Sequence, residues 1–235
     1  MKTQLSSLAI AVLVTGGASF ARADLLSNGN LDSVAVGPQT LATPVGWQVT
    51  ATLSSTGAFN DGCSSEMFAN VVDPGGYGLF FKPFQGSGTN LLTVNFYQDN
   101  SATAGQSYLF SGWAGAEANY SGLVGGSPTM SLFYIQFLNA ANTVIGGATL
   151  DLAAAGLGVA NGQPFNYKLY SLMATAPLGT VTIRTGAEMI NALANPAGGG
   201  QAFVVDGFSL LVPEPSMLSL AGLGLAGLIA ARRRK

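Results

Sequence analysis

The 235-residue chain predicts an all-β body, folded as a β-sandwich and flanked by two targeting segments. Three observations carry that prediction. Apolar runs rich in β-branched and aromatic residues recur along the chain, separated by Gly, Asn, Asp and Pro clusters that serve as turns. Several of the runs alternate with a period of two, as a strand buried on one or both faces requires. No stretch before the C-terminal tail carries an apolar stripe at helical spacing. Many short strands of this kind close into two packed sheets.

In chain order the expected strands are Gly46 to Leu53, Tyr77 to Phe84, Leu91 to Tyr97, Ser107 to Trp113, Met130 to Leu138, Val144 to Leu152, Tyr167 to Ala174, Thr180 to Arg184 and Ala202 to Leu211. The first follows Pro44-Val45, and Trp47 at its start reads as a core residue. The second follows the turn Asp73-Pro74-Gly75-Gly76. The fifth alternates most cleanly, with Leu132, Tyr134, Gln136 and Leu138 facing one way and Phe133, Ile135 and Phe137 the other. Asn139-Ala140-Ala141-Asn142 then turns the chain back into Thr143-Val144-Ile145 as a hairpin.

Both ends read as addresses. Residues 1–23 carry Lys2, an apolar stretch from Leu8 to Val14 and the small-residue pattern Ala21-Arg22-Ala23, the features of a secretory signal peptide cleaved before Asp24. Residues 213–235 run Pro213-Glu214-Pro215, then an apolar helix over 216–231, then Arg232, Arg233, Arg234 and Lys235. Proline fixes φ and lacks an N–H, so the triplet separates a folded body, residues 24–212, from the tail. A terminal cluster of cations prefers the cytoplasmic side of a membrane, which leaves the body outside. As a transmembrane helix the apolar run is short: at about 1.5 Å per residue it reaches roughly 24 Å, against a hydrocarbon core of roughly 30 Å. A temporary tether fits that length better than a permanent anchor. In order and position the three parts of the tail resemble the PEP-CTERM sorting signal. The resemblance implies recognition by an exosortase-type protease at the inner membrane of a Gram-negative bacterium, removal of the tail, and release to the cell surface or extracellular matrix.

Setting the two targeting segments aside changes the charge. The whole chain carries −2, but residues 24–215 hold all eleven acids against Lys82, Lys168 and Arg184, a net charge of −8. Such a surface repels phosphate backbones and anionic lipid, so nucleic acid is excluded as a partner, whereas calcium is allowed. Cys63 is alone and cannot form an intrachain disulfide, so it is either buried or reactive. The chain has no histidine, which removes the Ser-His-Asp and Cys-His arrangements and the usual zinc sites. A Gly-x-Ser-x-Gly elbow is absent as well.

Three signatures sharpen the sandwich to a jelly roll. The segment Leu25-Leu26-Ser27-Asn28-Gly29-Asn30-Leu31-Asp32 with Pro44-Val45-Gly46-Trp47, the hairpin from Phe137-Leu138-Asn139 through Val144-Ile145-Gly146, and Tyr170-Ser171-Leu172 through Ala176-Pro177-Leu178-Gly179-Thr180 with Phe203-Val204-Val205-Asp206-Gly207-Phe208-Ser209-Leu210 resemble the opening, middle and close of galactose-binding-like jelly rolls, carbohydrate-binding modules among them. In such folds the first and last strands lie close. The resemblance therefore implies that Asp32 and Asp206 approach one another and hold a structural calcium ion, which takes six to eight oxygen ligands. Asp32 stands where a longer Glu is commoner, and Gly207 stands where a second Asp often follows the last-strand acid. The other reading of the pair is two solvated acids at strand ends.

Sugar binding is the functional extension of such a fold, and it needs aromatic faces beside polar side chains. Trp113, Glu117, Asn119 and Tyr120 cluster in the glycine-rich stretch from Ser111 to Gly126, and Tyr77 follows the 73–76 turn. They are the candidates for contact with extracellular polysaccharide, with core packing as the alternative for Trp113. A carboxylate-based glycosidase is the rival class. Asp61, Glu66, Asp73, Asp99, Glu117, Asp151 and Glu188 are scattered, and none falls in a compact motif that sets two carboxyls across a bond, so the body reads as non-catalytic. A structural or adhesive matrix protein without a small ligand fits the low charge and the 32 glycines. Gly222-Leu223-Gly224-Leu225-Ala226-Gly227 matches a dinucleotide fingerprint but lies in the apolar tail, too near the terminus for a βαβ unit. Thr50-Ala51-Thr52 and Thr180-Val181-Thr182 are isolated, where an ice-binding surface needs regular threonine ranks. The expectation is an exported jelly roll that binds exopolysaccharide.

Overall fold

The alternating runs fold into two antiparallel sheets. The computed structural model describes residues 23–36, 42–52, 62–72, 74–158 and 165–213. The strands are β1 (Val34–Val36), β2 (Ala42–Pro44), β3 (Gln48–Ala51), β4 (Cys63–Glu66), β5 (Gly78–Phe81), β6 (Leu92–Ser101), β7 (Ser107–Ala116), β8 (Met130–Leu138), β9 (Val144–Asp151), β10 (Lys168–Thr175), β11 (Thr182–Ala192) and β12 (Phe203–Leu211). The larger sheet runs β1-β2-β4-β5-β12-β7-β10, and the smaller β3-β6-β11-β8-β9. Successive strands repeatedly change sheet, as the wiring of a jelly roll requires. Residues 1–22 of the expected signal peptide, Glu214, Pro215, the apolar run 216–231 expected as a helix and the basic residues 232–235 lie outside the described residues, as do Asp61 and Asp73. Among the described residues no helix is long and apolar enough to cross a membrane.

Each expected run contains a strand; β11 is longer than expected, and the short strands β1, β2 and β4 fall outside every expected run. β11 extends from Thr182 to Ala192, well beyond the expected end at Arg184, because two neighbours hold it. Its register pairs Gly186, Ala187 and Glu188 with both β6 and β8, so ladder hydrogen bonds override a poor local pattern. β4 is not expected at all. Its sequence Cys-Ser-Ser-Glu lacks bulk, yet it pairs with β5 from Cys63↔Phe81 to Glu66↔Gly78, and Cys63 is fully buried. Burial pushes the Cys63 thiol up to about 12, against a smaller opposing effect of Lys82, so it packs as a small apolar group.

The core lies between the sheets and is largely aromatic. Its hub is Phe208, whose ring stacks on Phe110 at 5.4 Å, meets Phe133 edge-on at 5.4 Å and lies 5.2 Å from Trp47. Trp47, a core residue as expected, stacks on Phe96 at 4.5 Å and donates its indole N–H to Asn28 O at 3.0 Å. Phe208 reaches this position through a bulge. On β12, Phe203 and Val205 face the core while Val204 and Asp206 face outward. Gly207 then takes φ 57°, the register to β7 slips between Asp206 and Ser209, and Phe208 points inward again. Opposite, Gly112 leaves the room that the ring occupies, since a Cβ there would collide with it. The N-terminal segment closes the edge: Leu25 N donates to Leu210 O at 2.9 Å, and Phe208 N to Gly29 O at 2.8 Å.

The bulge therefore predicts two stability effects, both read by thermal or urea unfolding. Phe208→Ala empties the hub and is expected to cost about 3–5 kcal/mol. Gly207→Ala forces a side chain into the left-handed region against Val72 and Trp113, at a cost of about 1–3 kcal/mol. A Gly207→Ala variant as stable as the parent would overturn the assignment of the bulge as a required element.

Candidate functional site

Asp32 and Asp206 do come together, on the outer face of the larger sheet. Asp206 is fully buried, and its Oδ2 accepts the backbone N–H groups of Val71 (2.8 Å) and Val72 (3.2 Å), its Oδ1 that of Gly207 (2.7 Å). Asp32 Oδ1 accepts Tyr77 N at 2.7 Å, and Oδ2 accepts Asn30 Nδ2 at 2.7 Å. The buried Asn70 Nδ2 has no partner and borders the same Gly76 backbone as Asp32 Oδ1. A calcium ion requires oxygen ligands, and a donor N–H cannot be one. Every carboxylate oxygen of the pair faces such a donor. Asp206 Oδ2, already accepting two N–H groups, has no lone pair left for a cation, and among the described residues no three acids, cysteines or histidines converge.

The other sequence-selected residues separate. Trp113 is half-buried on the outer face of the larger sheet, beside Asp206 in register and close to Gly207, so Trp113, Asp206, Asp32 and the Tyr77 backbone form one group. Glu117 and Asn119 form a second group at the end of β7, where they hold a loop. Glu117 Oε2 accepts Ala202 N at 2.6 Å, and Asn119 Nδ2 donates to Gly198 O at 2.7 Å. Tyr120 belongs to neither group, contrary to its selection as a ligand contact. It is fully buried, stacks on Phe203 at 5.5 Å and shares a 2.5 Å hydrogen bond with Ser131 Oγ, so no ring face is left for a ligand. Beyond the Asn119 loop a shallow cavity of about 280 Å³ lies between Ser121–Pro128 and Leu193–Pro196. Its walls are mostly apolar.

The richest polar surface is one that sequence reasoning does not select, the outer face of the smaller sheet. Three cross-strand rows build it: Gln48, Tyr97, Gly186, Tyr134 and Thr149; Asp99, Arg184 and Gln136; Thr50, Asn95, Glu188, Leu132 and Asp151. Gly186 sits at the centre of the middle strand with no side chain, and the two tyrosines flank it. Tyr134 reaches across to donate to Asn95 Oδ1 at 2.5 Å, and Tyr97 donates to Gln48 Oε1 at 3.2 Å. Arg184 grips Asp99 with two bonds, 2.7 and 2.8 Å, while its guanidinium lies 4.0 Å over the Tyr97 ring. Burial pushes the Glu188 carboxyl and, more strongly, the Tyr134 hydroxyl above their ordinary values. The Glu188 carboxylate makes no hydrogen bond or ion pair among the described residues, and the same holds for the Gln136 amide and the Asn95 amide N–H groups. The face thus fixes its frame internally and leaves a carboxylate and two amides open.

Comparison with known proteins adds two facts. Residues 211–235 match the PEP-CTERM protein-sorting motif, which begins at Leu211, the last residue of β12. No curated protein sequence matches the chain. Among solved structures, the enzymatically active domain of tailspike protein 4 from bacteriophage CBA120 is similar over 81% of this chain at 12% identity and a TM-score of 0.53. This chain spans 21% of that one, about a fifth, and the likeness shows the fold alone. TmCBM61, solved in complex with β-1,4-galactotriose, aligns over 81% of this chain and 99% of its own at 11% identity and a TM-score of 0.48. A family 16 carbohydrate-binding module aligns over 80% and 99% at 14% identity and the same score, 0.48.

The buried acid predicts a pH dependence of stability. Burial, reinforced by the charge of Asp32, pushes Asp206 up to about 6, despite the three backbone N–H groups that favour its charged form. The native state then keeps a proton that the unfolded chain has released. Its contribution to stability is complete below the ordinary Asp value of about 4 and is lost as pH rises through about 6. The unfolding free energy is expected to fall by on the order of 3 kcal/mol across that window, and Asp206→Asn to flatten the step. At neutral pH a chelator should leave the melting midpoint unchanged; a fall in the midpoint would mean that the acid pair does hold calcium.

Proposed function

We propose that this chain is an exported, non-catalytic carbohydrate-binding protein that takes exopolysaccharide on the outer face of its smaller sheet. One observation carries the reading: around Gly186 the face presents Asn95, Gln136 and Glu188 with open hydrogen-bond capacity, while Tyr97, Tyr134 and the Arg184–Asp99 pair hold the surface rigid. Sugar hydroxyls both donate and accept, so a fixed mixture of amide and carboxylate groups is the chemistry they require. Rigid framing lowers the ordering cost of binding. Asp99 is committed to Arg184, so the face offers one unengaged carboxylate near its centre where glycoside hydrolysis uses two, which supports binding without cleavage. Two structural neighbours, both carbohydrate-binding modules, agree with this reading without carrying it.

The sorting motif supports the route. In the proposed sequence of events the signal peptide directs export, the apolar run holds the chain in the inner membrane of a Gram-negative cell, and an exosortase-type protease acts at Pro213-Glu214-Pro215. The body then reaches the cell surface or the extracellular matrix. A second reading, an adhesive matrix protein without a small ligand, draws on a separate observation. On the outer side of the larger sheet Met67, Phe68 and Phe84 are about half exposed, with Phe68 packed on Phe80 and Phe165.

Affinity electrophoresis of residues 24–212 in gels containing secreted polysaccharide distinguishes the two readings. Retardation is expected, weakened about tenfold by Asn95→Ala with Gln136→Ala and unaffected by Leu169→Ser on the larger sheet. No retardation in any polysaccharide would leave the adhesive reading. The route has its own test. Replacement of Pro213, Glu214 and Pro215 by alanine is expected to retain the protein in the membrane fraction, and identical distribution of both forms would contradict processing at the triplet.

A further inference from the structure

Charge on the sugar-binding face sets its selectivity, and this inference rests on the carbohydrate reading of that face. The body holds only three cations, Lys82, Lys168 and Arg184, against all eleven acids of the chain. Arg184 is forked on Asp99, Lys168 Nζ donates to Gly156 O at 2.5 Å, and Lys82 is engaged as well. Each is engaged within the protein, so the body has few positive groups to offer an anionic polymer. On the face itself, Asp99 and Arg184 neutralise one another. Asp151, at the edge, is turned to the N–H groups of Ala153 and Ala154 at 2.9 and 3.2 Å. Glu188 remains, half-buried between Asn95 and Leu132 in register, with Tyr134 beside it and no partner.

A half-buried carboxylate without a partner loses hydration and gains nothing in return, so a ligand that supplies the missing positive group recovers the most. Neutral hydroxyls can donate to it; an ammonium donates and neutralises. A uronate or sulfate would place like charge beside it, inside the field of a body at −8. We propose that the face selects a polysaccharide bearing free amines, a partly deacetylated hexosamine polymer, and that Glu188 is the selecting residue. Its Oε atoms receive the sugar ammonium while Asn95 and Gln136 take neighbouring hydroxyls.

The test uses the purified protein and three oligomers of equal length: β-1,4-linked glucosamine, the same oligomer fully N-acetylated, and galacturonate, each measured by titration calorimetry. The expected order is amine first by about tenfold over acetylated, with galacturonate unbound. Raising salt from about 0.05 to about 0.5 M should weaken the amine oligomer and leave the acetylated one unchanged. Glu188→Gln keeps the shape of the side chain, and it should abolish the amine preference, bringing the amine and acetylated oligomers to equal affinity, while the melting midpoint persists. Equal affinity for amine and acetylated oligomers, or a preference that survives Glu188→Gln, overturns the selectivity and leaves the sugar-binding reading standing. Binding of galacturonate as tight as that of the amine overturns it likewise. If none of the three binds, the selectivity falls, and retardation in secreted polysaccharide decides separately whether the carbohydrate reading of the face stands.

Discussion

One backbone distortion organises this molecule. At Gly207 the last strand inserts an extra residue, and φ of 57° is a conformation that glycine adopts without cost. Strand parity inverts there. Without the bulge, strict alternation from Val205 would send Gly207 inward and Phe208 outward, and the core would lose the ring that joins Trp47, Phe96, Phe110 and Phe133. With it, Asp206 and Phe208 serve opposite sides of one sheet. Asp206 anchors the segment at Val71 and Val72 from outside, and Phe208 binds the two sheets from inside while its N–H holds Gly29. The N-terminal segment, the 70–77 loop and the aromatic core therefore meet at neighbouring residues of β12.

Much of the architecture is legible in the sequence because burial imposes a period of two. β8 runs from Met130 to Leu138 as the alternation predicts, and β9 follows the Asn139–Asn142 turn. Legibility fails where pairing substitutes for pattern. In β11 the run past Arg184 reads Thr-Gly-Ala-Glu-Met-Ile, with small residues where a half-buried strand would show bulk. Its place between β6 and β8 supplies backbone hydrogen bonds on both edges, so propensity no longer decides. β4 is hidden for the same reason. The approach of Asp32 to Asp206 follows from the closeness of chain start and chain end, but the donors that surround the two acids belong to a loop whose position no local signal encodes.

The candidate site shows the opposite balance. Trp113, Glu117, Asn119 and Tyr120 are close in sequence, and closeness there misleads. Trp113 lies on the outer face of β7, whereas Glu117 and Asn119 fall beyond the strand end and close a loop, and Tyr120 turns into the core under Phe203. The tyrosine-flanked face draws instead on Tyr97, Tyr134 and Glu188, from three strands widely separated in the chain, and only the register Tyr97↔Gly186↔Tyr134 brings them together. Its one sequence trace is the even-numbered polar and aromatic set of β8, which a strand buried on one face leaves outside. Recognising it requires knowing which strand lies alongside.

Charge links the body to its tail. Six of the nine cations lie in residues 1–23 and 232–235, which leaves the body strongly acidic. An acidic body has to hold its few cations where they serve structure, and Arg184 does so by fixing Asp99 and covering the Tyr97 ring, which stiffens one end of the face. Among the described residues, the same scarcity leaves the Glu188 carboxylate without a hydrogen-bond or ion-pair partner. A lysine at Asn95, its neighbour in register, would pair the carboxylate. Composition thus acts on both parts of the chain: positive charge is concentrated at its two ends, and its scarcity between them leaves the carboxylates of the sheet faces other than Asp99 to hydrogen bonds with neutral groups or to no partner among the described residues.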